Sequence, residues 1–207
     1  MTRVTTNAVI QAVVDDPGIA HALRELTAAA DDADRLVAGL SDAQGAHRAQ
    51  PGAWSVAECL DHLAAFNAGV LGAMRVVADR ARRDGRIRRG PVGPDLAGRL
   101  LLRFLQPPVA LRVRTIPAMV PTQRPLATAT AAFRASHAEV RAFLLASRDL
   151  DLGVRFTMPF SRVLRLRLAS GFRVIAVHER RHLWQAWRAR DAARETVPVP
   201  PATRHRA

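Results

Sequence analysis

The chain has 207 residues, 49% of them hydrophobic and 24% charged, which is typical of a globular protein with a single hydrophobic core. No run of about 18 uncharged apolar residues occurs, which excludes a membrane-spanning helix, and the single cysteine, Cys59, excludes an intrachain disulfide. The short apolar run before Asp15 and Asp16 is too weak for a secretory signal, so we expect a cytoplasmic protein.

The net charge of +13 raises the question of a polyanionic partner. All basic residues are Arg, and they are concentrated late in the chain: residues 1–80 carry 6 Arg and 10 acidic residues, whereas residues 81–207 carry 25 Arg and 8 acidic residues. We favour a solvated basic face, which would also suit an anionic small-molecule substrate. Binding to nucleic acid or to an anionic membrane surface is the less favoured alternative.

Two amphipathic helices are predicted in the first part of the chain. The first runs from Pro17 to about Leu40, with Asp16 near its N-cap. The second begins at Trp54–Ser55, where Ser55 and Glu58 have the spacing of a capping box, and runs to Asp84. Its expected buried stripe comprises Val56, Cys59, Leu60, Leu63, Phe66, Val70, Met74 and Val77.

A long connection should follow, because residues 85–125 contain seven of the thirteen prolines. Within it we predict one short helix over Asp95–Leu105. Its apolar residues are expected to cover one end of the helical core, although the flanking Arg residues would also suit a membrane surface. These apolar residues are Leu96, Leu100, Leu101, Phe104 and Leu105.

The second half of the chain predicts two more long helices. One covers about residues 128–147, with its inward face formed by Phe133, His137, Val140, Phe143 and Leu144. A compact loop or short extended segment should occupy residues 151–168, and the last helix should cover about 170–194. Four long amphipathic helices with two long connections predict an all-α four-helix bundle with a short extra helix. We expect one domain over residues 1–195 and a disordered tail over 196–207, where Pro198, Pro200 and Pro201 occur.

His178 and His182 are four residues apart on the last helix, so their imidazoles lie on one face and can converge on one metal ion. With Glu179 they form the pattern H-E-x-x-H, which in zinc proteases supplies two ligands and a general base. The third ligand would then have to lie downstream, where only His205 is present. We therefore rank the protease interpretation low, and a histidine pair alone can also arise by chance on a solvated face.

A second motif favours a metal site over a chance histidine pair. Trp54, Ser55, Glu58, His62 and Leu63 form the pattern W-S-x-x-E-x-x-x-H-L. Together with the segment from His178 to Gln185, this pattern resembles the DinB-like superfamily. The resemblance implies a DinB-like four-helix bundle in which His62, His178 and His182 form an open site for a divalent ion, nickel or zinc.

The resemblance also implies function. Members of the superfamily include thiol-dependent S-transferases, isomerases that use low-molecular-weight thiols, and metal-dependent hydrolases. We therefore expect a metal-dependent transferase or hydrolase acting on a small-molecule substrate, with a low-molecular-weight thiol as a second cofactor, and a homodimer is compatible with such a bundle. The alternative is a non-catalytic binding or stress-response protein.

Four further residues have open roles. Glu179 is the candidate catalytic base or a hydrogen-bond acceptor for a ligand, and Glu58 could accept such a bond or only cap its helix. Cys59 is expected to be a buried apolar residue, although it could approach the metal. His137 could line the same cavity.

Overall fold

The computed structural model describes residues 16–107 and 115–197. Within these ranges the chain forms six α-helices, one 3₁₀ turn and one short hairpin. The helices are α1 (Pro17–Val37), α2 (Asp42–Ala46), α3 (Val56–Arg83), α4 (Leu96–Leu105), α5 (Leu126–Ala146) and α6 (Leu168–Thr196). The 3₁₀ turn is Pro117–Met119, and the strands are β1 (Arg155–Thr157) and β2 (Arg165–Arg167). The predicted all-α class with four long helices is confirmed.

Side-chain caps explain where two of the long helices begin. The Asp16 carboxylate accepts hydrogen bonds from the backbone N–H groups of Gly18 (2.7 Å) and Ile19 (3.1 Å) at the start of α1. At the start of α3, the Ser55 hydroxyl accepts from the Glu58 N–H while the Glu58 carboxylate accepts from the Ser55 N–H. This is the predicted capping box, and it fixes the first turn of the helix that carries His62.

The core of the bundle consists of two apolar clusters. The larger includes Phe66 to Ala81 of α3, Val140 to Leu144 of α5 and the first turns of α6 up to Val177. The smaller includes Val56 to Leu63 of α3, Leu126 to Phe133 of α5 and the part of α6 from Leu183 onwards. Six of the buried polar residues of these three helices lie where the two clusters meet; they are His62, Asn67, His137, His178, Glu179 and His182.

The segment expected to be a loop or a short extended stretch forms an antiparallel hairpin. Phe156 of β1 is paired with Leu166 of β2, and both side chains are buried while most of their neighbours face solvent. This alternation is the two-residue period of a strand with one buried face. The hairpin thus adds Phe156 and Leu166 to the larger apolar cluster.

Helix boundaries differ modestly from those predicted from sequence. The first helix ends at Val37 rather than near Leu40, followed by Gly39 with a φ of +70°, a conformation that glycine adopts without strain. The short helix α2 was not predicted. It is initiated by a capping box between Ser41 and Gln44. This signal is easy to miss, because the helix has only five residues and no apolar stripe.

The predicted orientation of the short helix in the long connection was wrong for three residues. Leu96, Leu100 and Phe104 are 65%, 62% and 44% exposed, although they were expected to cover the core. The buried face of α4 instead carries Gly98, Leu102 and Leu105. Gly98 sets this orientation, because a side chain at this position would overlap Ser170 of α6.

Parts of the prediction lie outside the described residues. These parts are the N-terminal segment before Asp16, residues 108–114 and residues 198–207, which make up most of the predicted tail and include His205. Among the described helices, none combines the length and the apolar character needed to cross a membrane.

Candidate metal centre

Three histidines from two helices meet at the level where the apolar clusters join. His62 lies in the second turn of α3, and His178 and His182 lie one turn apart on α6. One ring nitrogen from each can be chosen so that all three atoms lie within 4.8 Å of one another, and all three side chains are buried. The three residues predicted to be ligands are therefore brought together; we refer to them as the three-histidine cluster.

Hydrogen bonds orient two of the imidazoles. Nδ1 of His62 lies 2.7 Å from the backbone carbonyl oxygen of Met119, and Nδ1 of His182 lies 3.1 Å from the side-chain oxygen of Gln185. Because both oxygens only accept hydrogen bonds, each Nδ1 must carry the proton and donate. Nε2 of both rings is then unprotonated and available to bind a metal ion.

The third imidazole, His178, is held by packing. Its ring stacks on Phe66 with centroids 3.6 Å apart and an interplanar angle of 13°. Its Nδ1 is buried and has no hydrogen-bond partner among the described residues. A buried polar atom without a partner is costly, which is the condition expected where a ligand supplies the missing interaction.

Burial keeps the cluster neutral. Desolvation lowers the pKa of His62, lowers that of His182 to about 3, and lowers that of His178 well below its usual range. For His178 and His182, the neighbouring histidines and the charge of Arg181 lower the pKa further. Metal ions bind the neutral imidazole, so this environment holds the ligands in the form that coordination requires.

The donor set fits a borderline transition metal. Three imidazole nitrogens suit zinc, nickel, copper or iron, whereas calcium and magnesium prefer oxygen ligands. Within the described part of the chain the cluster contains no carboxylate or thiolate. Three protein ligands also leave coordination positions for water or substrate, as in catalytic sites.

Glu179, the predicted catalytic residue, faces a different group of side chains. Its fully buried carboxylate accepts a hydrogen bond from Asn67 Nδ2 at 2.7 Å and lies 3.1 Å from Nδ1 of His137. We call these three residues the Glu179 network. The direct role of Glu179 as a general base stays a prediction. His137 joins Glu179 here rather than the three-histidine cluster.

Glu58 and Cys59 have roles that do not require a metal. Besides capping α3, the Glu58 carboxylate is paired with the Arg48 guanidinium, and this pairing and the capping bond lower its pKa despite its burial. The Cys59 thiol is fully buried in the smaller apolar cluster, and this burial raises its pKa. A thiol held protonated among apolar side chains is a poor metal ligand and a poor nucleophile.

A cavity of about 650 Å³ reaches the cluster from the surface. His182 and its partner Gln185 lie in its wall, as does Trp54, whose ring centroid is 4.8 Å from that of His62 and 5.6 Å from that of His182. This volume is within the range of small-molecule sites. The cluster is therefore buried among protein side chains and still adjoins a space that a substrate can enter.

Comparison of the chain with models of known protein families identifies its family. The family model of the DinB superfamily matches residues 25–186, well over half of the chain, and this range includes all three histidines. The chain belongs to the DinB superfamily. No curated protein and no solved structure matches it.

For this DinB-superfamily chain, the sequence motifs included the three histidines, Trp54 and Gln185, but not several other residues around the cluster. Phe66 was predicted to be buried, and its position four residues after His62 could have suggested a contact with the cluster. The Met119 carbonyl has no residue-type signal, because any residue offers one. Arg181 and Arg188 also line the cavity; they are seven residues apart, about two turns of α6, and this spacing could have indicated that they share a face.

Proposed function

We propose that this protein is a divalent-metal-dependent enzyme of the DinB superfamily, and specifically a thiol-dependent S-transferase or a related hydrolase acting on small molecules in the cytoplasm. The observation that carries the proposal is the convergence of His62, His178 and His182 beside the cavity. The buried Nδ1 of His178 also supports a bound ion, because this atom has no hydrogen-bond partner among the described residues and an ion would supply the missing interaction.

A divalent ion held by three neutral imidazoles would supply a Lewis acid that lowers the pKa of a bound thiol or water toward neutrality. The residues of this chain contribute the surroundings. Met119 and Gln185 fix the ring orientations of His62 and His182, and Phe66 covers one face of His178. Such supporting contacts commonly set metal affinity and activity.

In the proposed transferase reaction, a low-molecular-weight thiol forms a sulfur–carbon bond to an electrophile, and the leaving group departs with its electron pair. The thiol also loses its proton, which is taken up by the departing group or by water in the cavity. Cys59 is unsuited to take the place of this thiol, because its sulfur is fully buried and its pKa is raised. The thiol is therefore expected to enter as a separate molecule through the cavity beside His182.

Glu179 is proposed to act on the site mainly through position. Its neighbour His178 belongs to the three-histidine cluster, and its own carboxylate is bound by Asn67 of α3 and His137 of α5. These bonds join three helices next to the cluster. A direct catalytic role would require the carboxylate to leave those partners.

The test is elemental mass spectrometry on protein purified without an affinity tag. We expect about one zinc, nickel or similar ion per chain in the wild type, as for a single three-histidine site. His62→Ala and His178→Ala should both lose it. The matched control is His47→Ala, which removes a histidine that lies outside the cluster and should retain the metal.

Metal-containing protein would then be assayed for thiol transfer and for hydrolysis. A wild type that holds no metal even after reconstitution would contradict the enzyme proposal and favour a non-catalytic binding or stress-response protein. That alternative would also be favoured if the metal were bound but the loaded protein showed no exchange of small thiols or water at it.

A further inference from the structure

The cavity beside His182 has walls of a distinctive kind. Trp54 and Trp184 provide two large aromatic surfaces, and Gln50 and Gln185 provide side-chain amides. Its remaining uncharged lining is small, mostly Ala and Gly. A volume of about 650 Å³ with aromatic walls and a few polar groups suits a small organic molecule that has both an apolar part and a polar part.

The charged residues of the lining all have the same sign. Arg181 and Arg188 line the cavity, and the described lining contains no Asp or Glu. Arg181 is half-buried, with its guanidinium 5.9 Å from the centroid of the Phe104 ring. Two guanidinium groups beside one small cavity create a positive potential that favours an anion.

Arg188 is placed to bind such an anion. Its guanidinium lies 5.1 Å from the centroid of the Trp184 ring, and it forms no salt bridge within the described ranges 16–107 and 115–197. The aromatic ring holds the cation at the cavity wall without neutralising it. A planar guanidinium also presents paired N–H groups that match the two oxygens of a carboxylate.

The three-histidine cluster at the inner end adds no negative charge. It consists of three imidazoles, and no carboxylate belongs to the cluster within the described residues. The cavity therefore has positively charged side chains in its wall and no acidic residue in its described lining. A neutral or cationic ligand would not offer Arg188 an anionic partner.

We propose that this cavity binds a carboxylate-bearing organic substrate, with the carboxylate on Arg188, the flat apolar part against Trp54 and Trp184, and the reacting end toward His182. The proposal deepens the proposed function, because it names the substrate class of the same site. Its carboxylate and aromatic contacts involve only residues of the cavity wall, so they can be measured whether or not a metal is bound.

The test is calorimetric titration of the full chain, prepared metal-free, with 2-naphthoate and with the neutral 2-naphthamide. We expect naphthoate to bind about ten-fold more tightly than the amide, a ratio typical of one charge-assisted hydrogen-bonding group at a partly exposed site. Its binding should weaken as salt is raised. Shifts of the indole N–H signals in NMR spectra would report contact with the tryptophans.

Variants assign the effect to Arg188. Arg188→Gln should reduce the preference for naphthoate to less than about two-fold, and Arg188→Lys should retain part of it because the charge is kept. The control, Arg162→Gln, removes the same charge from an exposed position in the hairpin loop and should leave the preference unchanged. Arg188 is itself exposed, so its replacement should not disturb folding.

Equal binding of naphthoate and naphthamide, or a preference that survives Arg188→Gln, would overturn the proposal. So would the absence of naphthoate binding at millimolar concentration. These results are independent of metal content: a protein that binds naphthoate through Arg188 but holds no metal would refute the proposed enzyme chemistry alone. A metal-loaded protein without carboxylate preference would refute only the substrate class.

Discussion

Two groups of buried polar side chains adjoin each other on α6, and they differ in charge. The three-histidine cluster contains imidazoles only, whereas the Glu179 network combines an imidazole, an amide and a carboxylate. His178 and Glu179 are consecutive residues, and one step along a helix rotates the side chain by about 100°. Neighbouring positions on one helix thus serve two sites of different chemistry.

The two groups differ in whether their own side chains include a carboxylate that pairs with an imidazole. In the Glu179 network a carboxylate faces His137, so a proton or positive charge has a partner within the protein. In the three-histidine cluster burial lowers the pKa values of all three rings, and the nearby Asp61 carboxylate only partly offsets this for His62. The Glu179 network links three helices through its own hydrogen bonds, whereas the three-histidine cluster could hold a metal ion.

The largest expected effect on stability comes from removing the Glu179 carboxylate. Glu179→Ala leaves Asn67 and His137 buried without their shared acceptor, and we expect a loss of about 3 kcal/mol in the free energy of unfolding. Glu179→Gln keeps the shape and should lose about half as much. Urea unfolding of metal-free protein measures both.

The same variants test the direct catalytic role of Glu179. If the network is structural, Glu179→Gln should bind metal with normal stoichiometry and retain turnover below its melting temperature. Loss of turnover with stability and metal content intact would instead establish a catalytic carboxylate. A cost below about 1 kcal/mol for Glu179→Ala would contradict the structural role of the network.

The second prediction concerns the cluster. A ligand that binds only the folded state stabilises it by about 2.7 kcal/mol at a hundred times its dissociation constant. Zinc or nickel should therefore raise the melting temperature of the wild type and of the Asn67→Ala variant, whose substitution lies in the Glu179 network. It should leave His178→Ala unchanged, and an equal rise in that variant would show that the metal binds elsewhere.

Local signals account for what could be predicted from the sequence. The Ser55 cap and the spacing of His178 and His182 act within one or two helical turns, so the pattern alone locates them. The family resemblance supplied His62 as the third member of the set. The convergence of three buried positions from two helices is a property of the fold. The short motifs occur in this fold, but they do not by themselves determine the convergence.

The features that sequence reasoning missed depend on contacts between distant segments. The Met119 carbonyl that orients His62 is 57 residues away, in a proline-rich connection whose path no periodicity predicts. The face of α4 was misassigned because its apolar residues surround most of the helix, and only the close approach of Gly98 to α6 decides which ones are buried. Charge in the cavity likewise depends on which Arg residues the fold brings together.

The third prediction uses pH to compare the two groups. The folded-state pKa of His182 is about 3, below the usual value of about 6.5, so protonation favours the unfolded chain. The stability linked to this residue is complete above pH 6.5 and is lost as the pH falls toward 3. Between pH 6.5 and pH 5 the metal-free protein should lose about 2 kcal/mol through this group.

Replacing the titrating group tests this assignment. His182→Gln should reduce the slope of unfolding free energy against pH in that interval, whatever it does to stability at pH 7. His47→Gln, which removes a histidine outside the cluster, should keep the wild-type slope. An unchanged slope in His182→Gln would mean that His182 is not held neutral by burial and that the contrast in charge between the two groups is overstated.

The smallest expected effect concerns one hydrogen bond at the edge of the cluster. Gln185→Ala removes the acceptor that holds the His182 proton on Nδ1, and loss of such an orienting contact typically weakens metal binding about ten-fold. Gln50→Ala removes another amide from the same cavity without touching a histidine and should leave the affinity unchanged. Competition against a chromophoric chelator measures both. The metal-free stability of the two variants should differ little, because Gln185 supports the ligand geometry and not the core; equal metal affinities would show that helix packing alone orients His182.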